Sequence, residues 1–224
     1  MSKKDSKEFW LNLEKKLPKP TFALGPYTSD ALISDPALIA FISSRYKFCS
    51  RMLAGLDTVI EIGCGDGFGA SLVAQSVNKI IATDINEPLL NDNKSRMKDF
   101  PNIKYEYHDF REKPYQEKVD GIFLIDVIEH IFPEEEQVFL DNLKSSLKDH
   151  GICMIGTPNI EAEKYAGKFS REGHVNLKDH ISLKSLGNEH FNNSFLFSMN
   201  DELVHTGFSA MAHFLWVLCV SPRN

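Results

Sequence analysis

The sequence predicts an α/β fold: a doubly wound, mostly parallel sheet with helices on both faces and an antiparallel pair at one edge. Three observations carry this. Five short apolar, β-branched runs recur through the middle of the chain, longer segments of helical period separate them, and the first run ends in the glycine-rich turn Gly63–Gly67. In order, the runs are Thr58–Ile62, Lys79–Thr83, Ile103–Tyr107, Gly121–Ile125 and Ile152–Gly156. Crossover helices are expected over Gly69–Val77 and Pro133–Lys148. In the second, Val138, Phe139, Leu143 and Leu147 trace one face, Pro133 and three glutamates open the first turn, and Gly151 is expected to close the helix.

On either side of this core the pattern changes. Residues 1–55 read as an N-terminal helical cap or lid, with a Lys-rich helix around Phe9–Leu17, a proline-containing connection and a helix around Pro36–Leu53. Residues 56–224 read as a single globular unit. Asn159–Asn193 is polar and His-rich, and two further strand-like runs, Ser194–Met199 and Met211–Val220, supply the antiparallel pair.

With 224 residues, 42% apolar and 25% charged, the chain suits one well-buried domain. Its net charge of −6 and scattered Lys and Arg disfavour a nucleic-acid partner, which needs a dense basic footprint. Cys49, Cys64, Cys153 and Cys219 lie far apart without CxxC spacing, as expected of reduced, packed thiols. The longest apolar run, Met211–Val220, is too short to span a bilayer, so a soluble, cytoplasmic protein without membrane insertion is expected; oligomeric state is left open.

A strand running into glycines and then a helix gives close backbone approach and free N–H groups, which suits either a nicotinamide dinucleotide or S-adenosylmethionine. Charge separates them. A pyrophosphate brings two negative charges, whereas S-adenosylmethionine brings a sulfonium, an ammonium and one carboxylate. Glu61 and Asp66 flank the glycines and no Lys or Arg occurs between Arg51 and Lys79, so the turn is expected to present acids without a side-chain cation.

The stretch Glu61-Ile-Gly63-Cys-Gly65-Asp-Gly67 resembles the first motif of the Rossmann-like, class I S-adenosylmethionine-dependent methyltransferases, and the resemblance extends in order from Asp57 to Asn159. It implies seven strands with a reversed last pair. It also implies that Asp84 accepts hydrogen bonds from the ribose hydroxyls with Ile85 beside it, that Asp109 receives the adenine amino group next to Phe110, and that Ile125 and Asp126 complete the cofactor site with Glu61, Gly63, Gly65 and Gly67. These residues also have structural readings: Glu61 as acceptor for loop N–H groups, Asp84 as an ordinary loop acid after a strand, Asp109 as a helix cap, and Phe110 as core.

Asp126, Glu129 and His130 form a DxxEH loop just after the fourth strand, where this architecture opens its substrate crevice. If a helix begins there, the three side chains share one face. The loop resembles the ExxEH metal site of ubiquinone-pathway O-methyltransferases and of small-RNA terminal 2'-O-methyltransferases, with Asp126 replacing the first glutamate. That resemblance implies a divalent ion on Asp126, Glu129 and His130, with His174 or His180 supplying a fourth ligand. Without metal, Glu129 and His130 anchor the loop and line the pocket, and His130 or His174 serves as general base. The acceptor class stays open between a small molecule methylated on oxygen or nitrogen and the 2'-hydroxyl of an RNA. The C-terminal stretch resembles bacterial methyltransferases associated with surface-polysaccharide assembly, which implies a sugar or glycan precursor. A nicotinamide oxidoreductase is the alternative from another class.

Overall fold

The computed structural model describes residues 5–223. Three helices come first, α1 (Ser6–Glu14), α2 (Pro26–Ser34) and α3 (Ala37–Met52). The connection expected between two N-terminal helices therefore holds a third, started by Pro26 at its first position, where a missing N–H costs nothing. The alternating part follows: β1 (Thr58–Ile62), α4 (Phe68–Val73), β2 (Lys79–Asp84), α5 (Glu87–Arg96), β3 (Ile103–Tyr107), β4 (Val119–Ile125), α6 (Pro133–Ser145) and β5 (Leu147–Pro158). The chain ends with α7 (Lys168–Gly173), α8 (His180–His190), β6 (Phe191–Asn200), β7 (Leu203–His205) and β8 (Phe214–Pro222).

Among the described residues the sheet has eight strands in the order β3-β2-β1-β4-β5-β8-β6-β7. The strand beyond the expected seven is the three-residue β7, which pairs with the end of β6. β1 to β5 are mutually parallel, while β8 runs antiparallel to β5 and β6. Every residue of β4 is buried, as expected of a strand covered on both faces. Its side chains alternate between two cores. Ile122 and Leu124 join Ile60, Phe139 of α6 and Leu183 of α8 on one face; Phe123 and Ile125 join Val59, Cys49 of α3 and Val73 of α4 on the other. The four cysteines are free and buried.

Gly151 does not close α6, which ends at Ser145; it lies within β5. Leu147 already pairs with Val119 before the register shifts and Ile152 takes up opposite Gly121, so the intervening residues bulge outwards. The polar segment after β5 also hides α8, whose start is a capping box between Asp179 and Ser182.

β1 has β2 on one side and β4 on the other, so the strand order reverses between β1 and β4. Doubly wound sheets open their ligand crevice at that point, beyond the carboxyl ends of these strands. Gly63 follows β1 there, and Asp126 follows β4.

Candidate active site

The turn after β1 is held by backbone and by acids. Gly63 N–H and Cys64 N–H both donate to the Thr83 carbonyl at 2.9 Å. Gly63 has φ +72°, and a Cβ there would stand 2.5 Å from Val127 Cγ2, so both conformation and space demand glycine. Asp84, ending β2, accepts from Gly65 N–H through Oδ2 at 3.0 Å and from Asn86 N–H through Oδ1 at 2.9 Å. Each oxygen keeps a second lone pair, which suits a pair of ribose hydroxyl donors.

The electrostatics of the turn differ from the sequence expectation in two ways. First, side-chain cations do reach it from distant elements: Arg96 on α5 donates through Nη2 to the Asp66 carbonyl at 2.6 Å, and Arg45 on α3 meets Asp126 at 2.6 Å. Each guanidinium is itself paired, Arg96 with Asp92 at 2.9 Å and Arg45 with Asp126, so neither is spare charge for a pyrophosphate. Second, Glu61 does not present its charge to a ligand. It is buried behind the turn and lines neither of the cavities beside it; Oε1 accepts from Tyr46 Oη–H at 2.8 Å, and Oε2 has no partner. Burial, reinforced by Asp84 and Asp66, pushes its carboxyl up to about 8. A native acid raised in this way binds more protons than the unfolded chain from about pH 4.3 upwards, so stability falls as pH rises towards 8. Glu61→Gln is expected to flatten that fall; a denaturation series across this range with identical slopes for both proteins would refute it.

Asp66 faces the cap rather than a ligand. Its carboxylate accepts from Thr28 N–H at 2.7 Å and Thr28 Oγ1–H at 3.0 Å, tying α2 to the turn.

Three cavities meet at Asp126. One, of about 450 Å³, is lined by Gly63, Gly65, Asp84, Ile85, Asp109, Phe110 and His130. Ile85 is exposed and offers an apolar face beside Asp84. Asp109 is largely committed: Arg111 engages both its oxygens, Nε to Oδ1 at 3.0 Å and Nη2 to Oδ2 at 2.6 Å, and holds the carboxyl below its usual range. An adenine amino group would have to share that acceptor. Phe110 reaches the cavity from the core, its ring 4.4 Å from His108 and 6.4 Å from Phe139 between centroids. A second cavity, of about 290 Å³, is lined by Tyr27, Arg45, the glycine turn and Ile125. The third, of about 510 Å³, is lined by Arg45, His130, Asn159, Glu163, Ser170, His174 and His213. Asp126 borders all three with φ +55°, a left-handed conformation that a non-glycine residue adopts at a cost of about 1–3 kcal/mol.

The DxxEH loop is not an α-helix. Ile128–His130 forms a single 3₁₀ turn, and Asp126, outside it, points to Arg45 rather than to Glu129 and His130. Glu129 is fully buried; Oε2 accepts from Thr157 Oγ1–H at 2.9 Å and Oε1 has no partner. Burial, then the charge of Asp126, push its carboxyl well up. The Glu129 carbonyl accepts from Val175 N–H at 2.8 Å and Asn176 N–H at 3.0 Å, which fixes the neighbouring His174 beside the loop. One ligand atom each from Glu129, His130 and His174 lie within 4.8 Å of one another. His180, expected as a ligand, is outside this group. The chain is pinned at Val175 and Asn176 and then turns into α8 at Asp179, so His174 rather than His180 completes the cluster.

Arg45 escaped the sequence reading. Its guanidinium lies 3.9 Å from the centre of the Phe214 ring and its Nε is buried without a partner. The one local sign was a cation on the helix face that also carries Ile42, Tyr46 and Cys49. It borders both the second and third cavities.

The doubly wound sheet, the glycine turn at its switch point and the acid ending β2 are the features of the class I methyltransferase fold. Comparison with known proteins points the same way: residues 59–151 match the family model of the methyltransferase domain. Over 136 residues it is 31% identical to a probable S-adenosylmethionine-dependent methyltransferase of Mycobacterium tuberculosis, covering 59% of this chain and 48% of the relative. The chain thus spans about half the length of the curated relatives it matches. Among solved structures, the N-methyltransferase NodS from Bradyrhizobium japonicum, in complex with S-adenosyl-L-homocysteine, superposes with a TM-score of 0.66 at 18% identity, covering 96% of this chain and 98% of that one. The methyltransferase domain of bacterial CtHen1-C gives a TM-score of 0.67 at 17% identity, covering 81% and 98%. At these identities the two structures establish the shared fold.

Proposed function

We propose that the protein transfers the methyl group of S-adenosylmethionine to an oxygen or nitrogen of a small acceptor held in the 510 Å³ cavity. The observation that carries this is the junction: Asp126 and His130 border both the cavity beside Asp84 and the acceptor cavity, so a ligand in one lies next to a ligand in the other. S-adenosylmethionine supplies an electrophilic carbon on a positively charged sulfur and departs as S-adenosylhomocysteine. The cavities fit its parts. Asp84 and Ile85 suit an adenosine, and the turn between Arg45 and Gly65 suits an amino-acid end. Within the N-terminal segment, α2 and α3 serve as the cap, tied down by the contacts of Thr28 with Asp66 and Arg45 with Asp126.

His130 is the residue placed to take the acceptor's proton. Its Nδ1 lies 2.8 Å from the Gly173 carbonyl, which only accepts, so Nδ1 carries the proton and Nε2 keeps the lone pair. Holding acceptor and donor in line supplies on the order of 7 kcal/mol, and a positioned base adds a factor of about 10² to 10⁴. His130→Gln is therefore expected to lower kcat by about that factor with unchanged S-adenosylhomocysteine affinity. A variant that loses both equally would show His130 to be structural.

Asn159, Glu163, Ser170 and the histidines, set among Leu38, Pro158, Ala162 and Leu177, suit an acceptor that carries hydroxyls on an apolar-faced frame, and a sugar or surface-polysaccharide precursor is the reading we favour. An RNA acceptor has the net charge of −6 against it. The test is to incubate acceptor pools with isotopically labelled S-adenosylmethionine and identify the labelled product by mass spectrometry. Label on a small hydroxyl or amine supports the proposal; failure to bind S-adenosylhomocysteine in calorimetry overturns it.

One arrangement favours a second component. Glu129 Oε1 and His174 Nδ1 are both buried without partners, and with His130 they would hold a divalent cation that acidifies an acceptor hydroxyl. Dialysis against a chelator is then expected to abolish turnover and a returned divalent ion to restore it. Full activity after dialysis, with no metal by elemental analysis, leaves the trio as loop anchor and base.

A further inference from the structure

We propose that α1 is an interfacial anchor that docks the protein on an anionic lipid surface. This inference is independent of the methyl-transfer reading. None of the α1 residues is buried, although the segment carries Phe9, Trp10, Leu11, Leu13 and, just beyond, Leu17; Phe9 is 71% and Trp10 56% exposed. Phe9, Trp10 and Leu13 fall within about 100° of arc on α1, an apolar stripe that Leu17 follows just beyond the helix. A nine-residue helix is marginal in water by itself, and its Asp5 cap adds only about 1 kcal/mol, so this stripe asks for a cover.

Charge and size identify that cover. Residues 1–20 hold six lysines, Lys3, Lys4, Lys7, Lys15, Lys16 and Lys19, against Asp5, Glu8 and Glu14, a net +3; since the whole chain carries −6, the remainder carries −9. The basic charge of this region is therefore local to the segment bearing the exposed Phe and Trp. An aromatic and leucine stripe with lysines flanking it is the composition that sinks into the boundary between headgroups and acyl chains of anionic lipid. A second copy of the chain is a poorer fit. α1 is about 14 Å long and its stripe exposes on the order of a few hundred Å², well below the roughly 800 Å² per partner that a stable interface buries.

The test uses the full chain with vesicles of phosphatidylcholine, with and without phosphatidylglycerol. Co-sedimentation with the anionic vesicles is expected, weakening as salt is raised, together with a blue shift in emission from Trp10; Trp216 is fully buried and should not respond. Phe9→Ser with Leu13→Ser should reduce partitioning about tenfold or more, and Lys15→Glu with Lys16→Glu should reduce it selectively on the anionic vesicles. Because all four positions are exposed, the variants should fold, which an unchanged melting curve checks. The proposal is overturned if wild type ignores anionic vesicles, or if the Ser variant binds them equally well. It is also overturned if the protein is a dimer that the Ser variant dissociates, or if S-adenosylhomocysteine alone shifts Trp10, since α1 would then cover a second copy or the chain's own site.

Discussion

Asp84→Ala is expected to weaken S-adenosylhomocysteine binding by about 1.5–3 kcal/mol in titration calorimetry, the range for losing hydrogen bonds to a charged group. On the proposed ribose role the effect has two parts. The hydroxyl donors lose an ionised acceptor, and Gly65 N–H and Asn86 N–H lose the oxygens they donate to at 3.0 and 2.9 Å, which loosens the turn itself. Asp84→Asn separates them. The amide keeps one acceptor oxygen but lacks the charge, so it should fall between wild type and Ala. Undiminished affinity in the Ala variant removes the ribose assignment, whatever the fold says.

Gly69→Ala is expected to destabilise the fold strongly. The added Cβ would stand 1.9–2.2 Å from three ring carbons of Tyr46, and that ring has nowhere to go. It is buried, held at its hydroxyl by Glu61 at 2.8 Å and packed edge-on against Phe123 at 6.2 Å. Overpacking of this kind costs about 3 kcal/mol, which for a chain of this size lowers Tm by roughly 6–12 °C. A double-mutant cycle locates the cause: in a Tyr46→Ala background, itself destabilised by the lost ring, the added methyl should cost almost nothing. If Gly69→Ala costs the same in both backgrounds, the clash with Tyr46 is not its source.

The two predictions draw on different kinds of legibility. Asp84 stood out in the sequence because its place depends on local order: an acid at the end of the second strand, 19 residues beyond Gly65. Gly69 looked like an ordinary helix residue, because what forbids its substitution is a tyrosine from an earlier helix. The loop after β4 shows the same division. Its location at the crevice followed from strand order, yet its conformation did not follow from residue spacing: a 3₁₀ turn replaced the expected helix and separated Asp126 from Glu129 and His130.

By itself the sequence determined the alternating strands and helices, the two-sided burial of the central strands, the glycine turn and the acids at strand ends. All of these are written in period, composition and neighbour order, on which backbone geometry acts directly. Tertiary structure alone decided that Arg45 pairs with Asp126, that His174 rather than His180 joins Glu129 and His130, and that Glu61 sits where burial favours its neutral form. Pairing and desolvation depend on distances through space, and a residue 81 positions away in the chain can stand 2.6 Å from its partner.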